Sequence, residues 1–455
     1  MNDTAATTHL LAATLAQRLT QEHVADIVET LNDQDDATIA HVLAELPFER
    51  AVEVLDQPEL TTAPAVMALL PDQRAGALLS AMAPDRAADV FQKLDEDTRA
   101  RLSGRLDRQT RSDLKKLLAY PEHSAGSIMT TEFVSVPSNW TVQQALDHIR
   151  RVERTRETVY AIYVLDTVTH RLVRAVSLRR LISGDPEAPV ESVVPAHKPI
   201  CVTPETDREE VARFITKYDL LAVPVVDAEQ QLLGIVTFDD VIDAMIAETT
   251  EDVQKLGGME ALDKPYNEIG FVSMIRKRAG WLSILLLGEM LTASVMQFFE
   301  GELEKAIVLT LFIPLIMSSG GNSGSQATSL IIRALALREI ALKDWWRIAL
   351  RELPTGITLG VILGAIGVTR VTLWQWAGFY DYGPHWMLVA ATVGGALLGI
   401  VTFGSLAGSM LPFALKRLGF DPASASAPFV ATLVDVTGLV IYFGVAAVIL
   451  SGTLL

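Results

Sequence analysis

The sequence predicts a multi-domain chain: a superhelical α-helical N-terminal domain, a pair of α/β modules, a connecting helix and an all-α bundle of five membrane spans. Three observations predict it. Half of the 455 residues are hydrophobic, 20% are charged and mean hydropathy is +0.29, a value that soluble chains of this length seldom reach and that excludes disorder for most of the chain. The charge is divided: from Met274 onward 12 basic residues face 10 acidic ones, whereas the part upstream holds 26 basic and 45 acidic residues, or −19. Within that acidic part, residues 124–247 repeat with a period of roughly 60–66. A chain this long exceeds one core in any case.

Several function classes are excluded at the outset. A net charge of −17 argues against nucleic acid as a partner, because phosphate binding needs clustered Lys and Arg. A single cysteine, Cys201, rules out an intramolecular disulfide framework and a cysteine-based zinc cage. Met1–Leu19 lacks the basic stretch and apolar run of a signal peptide. With no phosphate loop, metal-hydrolase spacing or nucleophile elbow, the chain is not expected to be an enzyme.

Residues 1–123 read as the helical domain. LPFERAVEVL (Leu46–Leu55), LPDQRAGALL (Leu70–Leu79) and APDRAADVF (Ala83–Phe91) each set Pro at the first turn, ahead of apolar residues at helical spacing. Such units stack into an array whose acids face solvent. Residues 124–247 then divide into copies at about 124–185 and 186–247. FVSVPSNWTVQQAL (Phe133–Leu146) corresponds to PICVTPETDREEVA (Pro199–Ala212), AIYVLD (Ala161–Asp166) to AVPVVD (Ala222–Asp227), and AVSLRRLI (Ala175–Ile182) to GIVTFDDVI (Gly234–Ile242). Short β-branched strands alternate with amphipathic helices. Across 248–275 an acidic, helix-prone stretch places Glu248, Glu251 and Asp252 at spacings of three and four, on one side of a helix that Gly257–Gly258 then breaks or bends. Beside a pore mouth such a helix could act as a plug.

Residues 276–455 hold five stretches long enough to span the hydrocarbon: Trp281–Phe299, Ile307–Ile332, Ile357–Trp376, Trp386–Leu411 and Phe429–Leu450. Basic clusters at Arg276–Arg278, at Arg333, Arg338, Lys343, Arg347 and Arg351, and at Lys416–Arg417 occupy alternate connections. The others carry Glu300, Glu302 and Glu304, or Asp381 and His385. All three clusters agree on a cytoplasmic N-terminus and an outside C-terminus. Two features resist a plain anchoring role. Asp435 lies about eight residues into span five, roughly 12 Å along the helix, where an acid costs several kcal/mol unless it meets water, a cation or a partner. Span two is interrupted by Pro314 and then SSGGNSGSQ (Ser318–Gln326), whose glycines allow close approach and whose Asn322 and Gln326 supply neutral oxygens. Non-helical backbone at that depth needs protein or water around it; the alternative is a small-residue packing seam. Together the two features favour an ion path. A second intramembrane acid, Glu289, is not assigned to it.

The paired modules resemble a pair of CBS domains, which implies an adenine-nucleotide pocket. ATP would be held at Thr237 and Asp240, the acid accepting a ribose hydroxyl; the first copy departs from this pattern with Ser177 and Arg180, and Leu220 replaces an aromatic. The whole order of modules, with SGGNSGSQATSLIIRALALREI and MLPFALKRLGFDPASASAPFVATLVDVTGL, resembles the MgtE magnesium channel/transporter family of bacterial inner membranes. The resemblance implies a homodimer in membrane lipid whose spans two and five line one Mg²⁺ pore. It implies that Asp435 binds hydrated Mg²⁺ there, beside Asn322 and Gln326, and that Asp421 meets the connecting helix through Mg²⁺. Regulatory Mg²⁺ sites would use Glu53, Asp85 and Asp89 of the helical domain, Glu209, Asp219, Asp240 and Asp243 of the CBS pair, and Glu248, Glu251 and Asp252 of the connecting helix. Ala427 stands where a polar Asn is expected. Without cations the acidic assemblies repel, so bound Mg²⁺ favours a compact closed state. A proton- or sodium-coupled divalent-cation transporter, with Glu289 and Asp435 as a carboxylate relay, is the other reading.

Overall fold

Pro47 and Pro71 precede, and Pro84 opens, three of the eight short helices that run from Val24–Asn32 to Arg108–Leu117. The structure, a computed structural model, describes residues 12–153, 156–262, 266–267 and 269–454. The first eleven residues, on which part of the signal-peptide expectation falls, and Asp263, Lys264, Pro265 and Glu268 of the connecting stretch lie outside the described residues. Each helix of the N-terminal array packs on the next but one, and arginines fasten these layers. Arg74 donates to the carbonyls of Leu43 and Leu46, and Arg86 to those of Leu55, Gln57 and Leu60. Those carbonyls close the helices Asp36–Glu45 and Phe48–Leu55, where donors are otherwise missing. The repeated Pro-x-x-Arg and Pro-x-Arg spacings therefore carry a joint as well as a helix start.

In the first α/β copy, β1 (Val134–Pro137) pairs parallel with β2 (Ala161–Leu165), which pairs antiparallel with β3 (Leu172–Ser177). The second copy repeats this with β4 (Ala222–Val226) antiparallel to β5 (Leu232–Thr237), while a parallel bridge from Val202 to Val225 stands for its first strand. Residues from the N-terminal helices and the second copy, with Ala125 and Met129 between, share one apolar core that runs from Ala12 to Val241. The helix after β5 does not stop at the end of the copy: Phe238–Leu256 is continuous, so the expected connecting helix is its extension.

Contacts divide the chain into Met1–Ala247 and Glu248–Leu455. The second unit holds five helices long and apolar enough to cross a membrane. Span one is Phe271–Phe298, span two Ile313–Ala336, span three Trp345–Trp376, span four Trp386–Arg417 and span five Ala427–Leu450. Spans one, three and four run past their expected ends into charged segments, because helix continues beyond the hydrocarbon once its backbone bonds are in register. Span four is the hub, packing on spans two, three and five, while span one rests on span five.

The expected interruption of span two is corrected. Ser318–Gln326 is regular α-helix, Pro314 sits harmlessly in its first turn, and the irregular part is the 3₁₀ segment Ile307–Phe312 before it. The glycines are spent on a seam. A Cβ on Gly404 would lie 2.5 Å from the Gly320 carbonyl oxygen, and one on Gly408 would lie 2.2 Å from that of Gly324. Ser323 donates to the Val401 carbonyl (3.2 Å) and shares a 2.9 Å hydrogen bond with Ser405, and Thr328 donates to the Gly408 carbonyl at 2.8 Å. Close backbone approach with interhelical hydroxyls is how helices associate where water cannot drive them.

Candidate ion pathway

Residues two positions from the seam glycines point nearly the opposite way, since each residue turns about 100°. Ser318, Asn322 and Gln326 satisfy that relation, and all three are exposed, forming a polar strip along the face that span four does not cover. Asn322 Nδ2 reaches Ser318 Oγ at 3.4 Å. Span five runs antiparallel beside this helix, with Val430 and Val434 against Gly324 and Gly320, Ala431 against Gly321, and Ser325 donating to the Ala427 carbonyl at 3.2 Å. That register sets half-buried Asp435, one turn beyond Ala431, level with Ser318 at the end of the strip. Ala427, where a polar Asn was expected, brings no side-chain oxygen to this face, and its carbonyl accepts from Ser325.

Span one closes on the same region. A Cβ on Gly288 would come within 2.8 Å of Thr432 Cγ2, and the next residue, half-buried Glu289, is close enough to Asp435 for their charges to interact. The sequence reading left Glu289 outside the pathway; the packing of span one on span five brings it alongside. Further out, buried Tyr442 donates to the Leu309 carbonyl at 2.8 Å and holds the 3₁₀ start of span two.

The helix that ends at Leu256 packs beside the start of span five. Gly258 takes φ +75°, open to glycine, and lies against Pro428 and Ser426, which caps span five through the Phe429 amide. Leu256 packs with Ile332, Ala423 and Ala425. Asp421 caps the short turn Pro422–Ser424, accepting the Ala423 amide at 2.9 Å. Its other oxygen meets Lys255 Nζ at 2.7 Å, and Lys255 also meets Glu251 at 2.6 Å. Asp421 thus contacts the connecting helix directly, through the Lys255 ammonium. Lys255 was legible only as the residue four after Glu251. Asp252 beside them is raised to about 6 by burial, then by Asp421 and Glu248.

In the Met1–Ala247 unit the expected acids separate into two groups. Glu53 pairs with Arg50, and Asp89 with Arg86 and Lys93 at 2.7 Å each, all within one helix. These are ion pairs already satisfied. Asp85 and Asp240 are brought together: burial raises Asp85, and Asp240 and then Glu157 raise it further, while one Asp85 carboxylate oxygen is sealed from solvent with no hydrogen-bond partner. Burial lifts Asp240 to about 7 against the hydrogen bond it accepts from buried Thr237, the two residues assigned to nucleotide. Asp243 is raised by burial and then by Glu59. Asp56, lifted by burial to about 7, joins this acidic zone with Glu59, Glu132 and Glu157, none of them anticipated. Their folding together depends on the shared core, which no local motif reports. Asp219 ends the helix Arg208–Tyr218 in a left-handed conformation (φ 52°), and Glu209 lies in its first turn. Glu248 and Glu251 lie on the extended connecting helix.

Comparison with known proteins adds three kinds of match. Family profiles match residues 22–123 (MgtE intracellular N domain), 125–186 and 190–247 (CBS domain) and 313–445 (MgtE, divalent cation transporter). The magnesium transporter MgtE of Thermus thermophilus is 40% identical over 449 residues, covering 93% of this chain and 97% of that protein. Its counterpart in Enterococcus faecalis is 38% identical over 335 residues, covering 74% and 71%. Among solved structures, the cytosolic domain of the Mg²⁺ channel MgtE in complex with ATP is 37% identical, with a TM-score of 0.47, covering 50% of this chain and 93% of that one.

Proposed function

The chain belongs to the MgtE family of divalent cation transporters, a multi-pass membrane protein, and on that premise we propose that it conducts Mg²⁺ into the cytoplasm down its electrochemical gradient. The observation that carries this reading is Asp435, a half-buried carboxylate level with the Ser318–Asn322–Gln326 strip. Mg²⁺ demands octahedral oxygen coordination and sheds water reluctantly. One carboxylate cannot strip it. Two copies of Asp435 across the twofold axis of a homodimer hold the hydrated ion through its waters, supplying charge without full dehydration. Selection then rests on hydrated size and on the neutral oxygens of Asn322 and Gln326.

The basic clusters support a cytoplasmic N-terminus, with the C-terminus outside, in a bacterial cell membrane. On that orientation the acidic unit samples cytoplasmic Mg²⁺. The Asp85–Asp240 zone, with Asp243, Glu209 and Asp219, and the connecting-helix acids Glu248, Glu251 and Asp252 take up Mg²⁺ at high concentration. The closed state must hold more ions than the open one, since only differential affinity shifts the population. Glu53 and Asp89 contribute only by exchanging a basic partner for the ion. ATP binding at Thr237 and Asp240 would break their mutual hydrogen bond.

The proximity of Glu289 to Asp435 favours a second reading, a proton- or sodium-coupled transporter using both carboxylates. Proteoliposomes loaded with a Mg²⁺ dye decide between them. Uptake that follows the Mg²⁺ gradient alone, and that falls by about tenfold or more in Asp435→Asn, supports the channel. Uptake driven by a pH or Na⁺ gradient, or an undiminished Asp435→Asn, overturns it.

A further inference from the structure

We infer that Lys255 is a built-in cation, a positioning residue that ties the end of the connecting helix to the turn leading into span five and partly stands in for a divalent ion there. The inference rests on the proposed gating role of that helix and deepens it. Lys255 Nζ lies 2.6 Å from Glu251 and 2.7 Å from Asp421, so one ammonium joins the helix to the turn that leads into span five. The geometry is partly withdrawn from water: the three side chains are 26%, 25% and 37% exposed. Its hydrogen bonds to Asp421 and Glu251 hold the ammonium between the two carboxylates.

The surroundings explain why a cation is required at this place. Asp421 and Glu251 touch it, and Asp252 beside it feels Asp421, Glu248 and Glu251. Without Lys255, four negative charges would face one another across a joint closed mainly by Leu256, Ala423, Ala425 and Ile332. The chain beyond the joint is then fastened by the Glu260 amide on the Lys277 carbonyl (3.1 Å) and the Leu262 amide on Gln254 Oε1 (2.6 Å). Those two amides report whether the joint is closed. Lys255 also competes with Mg²⁺ for the Asp421 carboxylate, so this contact responds less steeply to Mg²⁺ than a purely acidic one.

Hydrogen exchange on the full-length protein in detergent, with EDTA or with millimolar Mg²⁺, tests this. In the wild type, residues 254–262 should keep most of their protection in EDTA. In Lys255→Gln the same amides should exchange about tenfold faster in EDTA, the loss expected for one charge-assisted hydrogen-bonded pair, and recover when Mg²⁺ replaces the missing charge. Lys255→Arg should behave as wild type. Asp421→Asn should loosen the same amides in EDTA and recover less with Mg²⁺. Exchange across span two, residues 313–336, checks that each variant is folded. Wild-type protection lost in EDTA, or Lys255→Gln as protected as wild type, overturns the inference. Mg²⁺ uptake by the same preparations is read separately: absent wild-type uptake with a joint still protected in EDTA sinks the transport reading and leaves the joint standing.

Discussion

Replacing Gly408 by alanine puts the seam between spans two and four to the test. The added Cβ would lie 2.2 Å from the Gly324 oxygen, 2.8 Å from its carbonyl carbon and 2.9 Å from its Cα. All three are backbone atoms with no rotamer to yield. Ordinary contact begins near 3.4 Å, so the helices must part by about 1.2 Å. That displacement stretches the Thr328–Gly408 hydrogen bond from 2.8 Å beyond bonding range and threatens the 2.9 Å Ser323–Ser405 pair. Overpacking costs about 1–3 kcal/mol, and the lost hydroxyl bond about 1 kcal/mol more. For a unit spanning 248–455, at roughly 2–4 °C per kcal/mol, the Tm should fall by about 5–15 °C. Gly444→Ala is the control, because a Cβ there meets nothing within 4 Å. Tryptophan-fluorescence melts in detergent read the difference, and Mg²⁺ uptake should fall too, since span two carries Asn322 and Gln326. Equal melting of Gly408→Ala and wild type would refute the seam and with it the aim of the polar strip.

Two further outcomes follow from the acidic residues. Asp219→Asn, Asp243→Asn and Glu251→Gln together should raise the Mg²⁺ concentration that half-closes the channel by about tenfold, roughly 1.4 kcal/mol of differential affinity, while leaving conduction at low Mg²⁺ intact; unchanged inhibition in patch recordings counts against it. In EDTA the N-terminal unit should be more stable at pH 5.5 than at pH 8. Asp56 and Asp240 titrate near 7 in the fold, against 3.8 when free, so the folded state binds the extra protons between those values. Their stabilisation is complete below 3.8 and is lost as pH rises through 7. Limited proteolysis of the full chain should therefore quicken toward pH 8, less so in Asp240→Asn, and slow again with Mg²⁺; cleavage indifferent to pH would contradict this.

What the sequence made legible follows the range of each interaction. Helix starts at Pro47, Pro71 and Pro84, the strand–helix alternation of the α/β copies and the five apolar spans depend on neighbours a turn or two away, and all are present. Glu59, Glu132 and Glu157 could not be found that way, because they meet Asp56, Asp85 and Asp243 only across a long-range core. Glu53 and Asp89 have their partners Arg50, Arg86 and Lys93 three or four residues away, at a spacing the sequence already carries. Lys255 was hidden because its partner Asp421 lies 166 residues away.

Span two shows how the sequence signal was right about place and wrong about form. Glycine weakens a helix in water by exposing backbone and gaining nothing in return, so Ser318–Gln326 read as a break. In a bilayer an unpaired backbone has no water to turn to, and the helix persists. The glycines then act on their neighbour instead, letting Gly404 and Gly408 of span four come to backbone contact. Because Gly320 and Gly324 are four apart and the helix turns about 100° per residue, that contact fixes the opposite face as Ser318, Asn322 and Gln326. The polar strip is thus aimed by the residues that look least structural. A substitution that adds bulk at the seam disturbs the strip without touching any of its oxygens, and this separates the seam's role from that of Asp435, whose loss removes charge and leaves the packing intact.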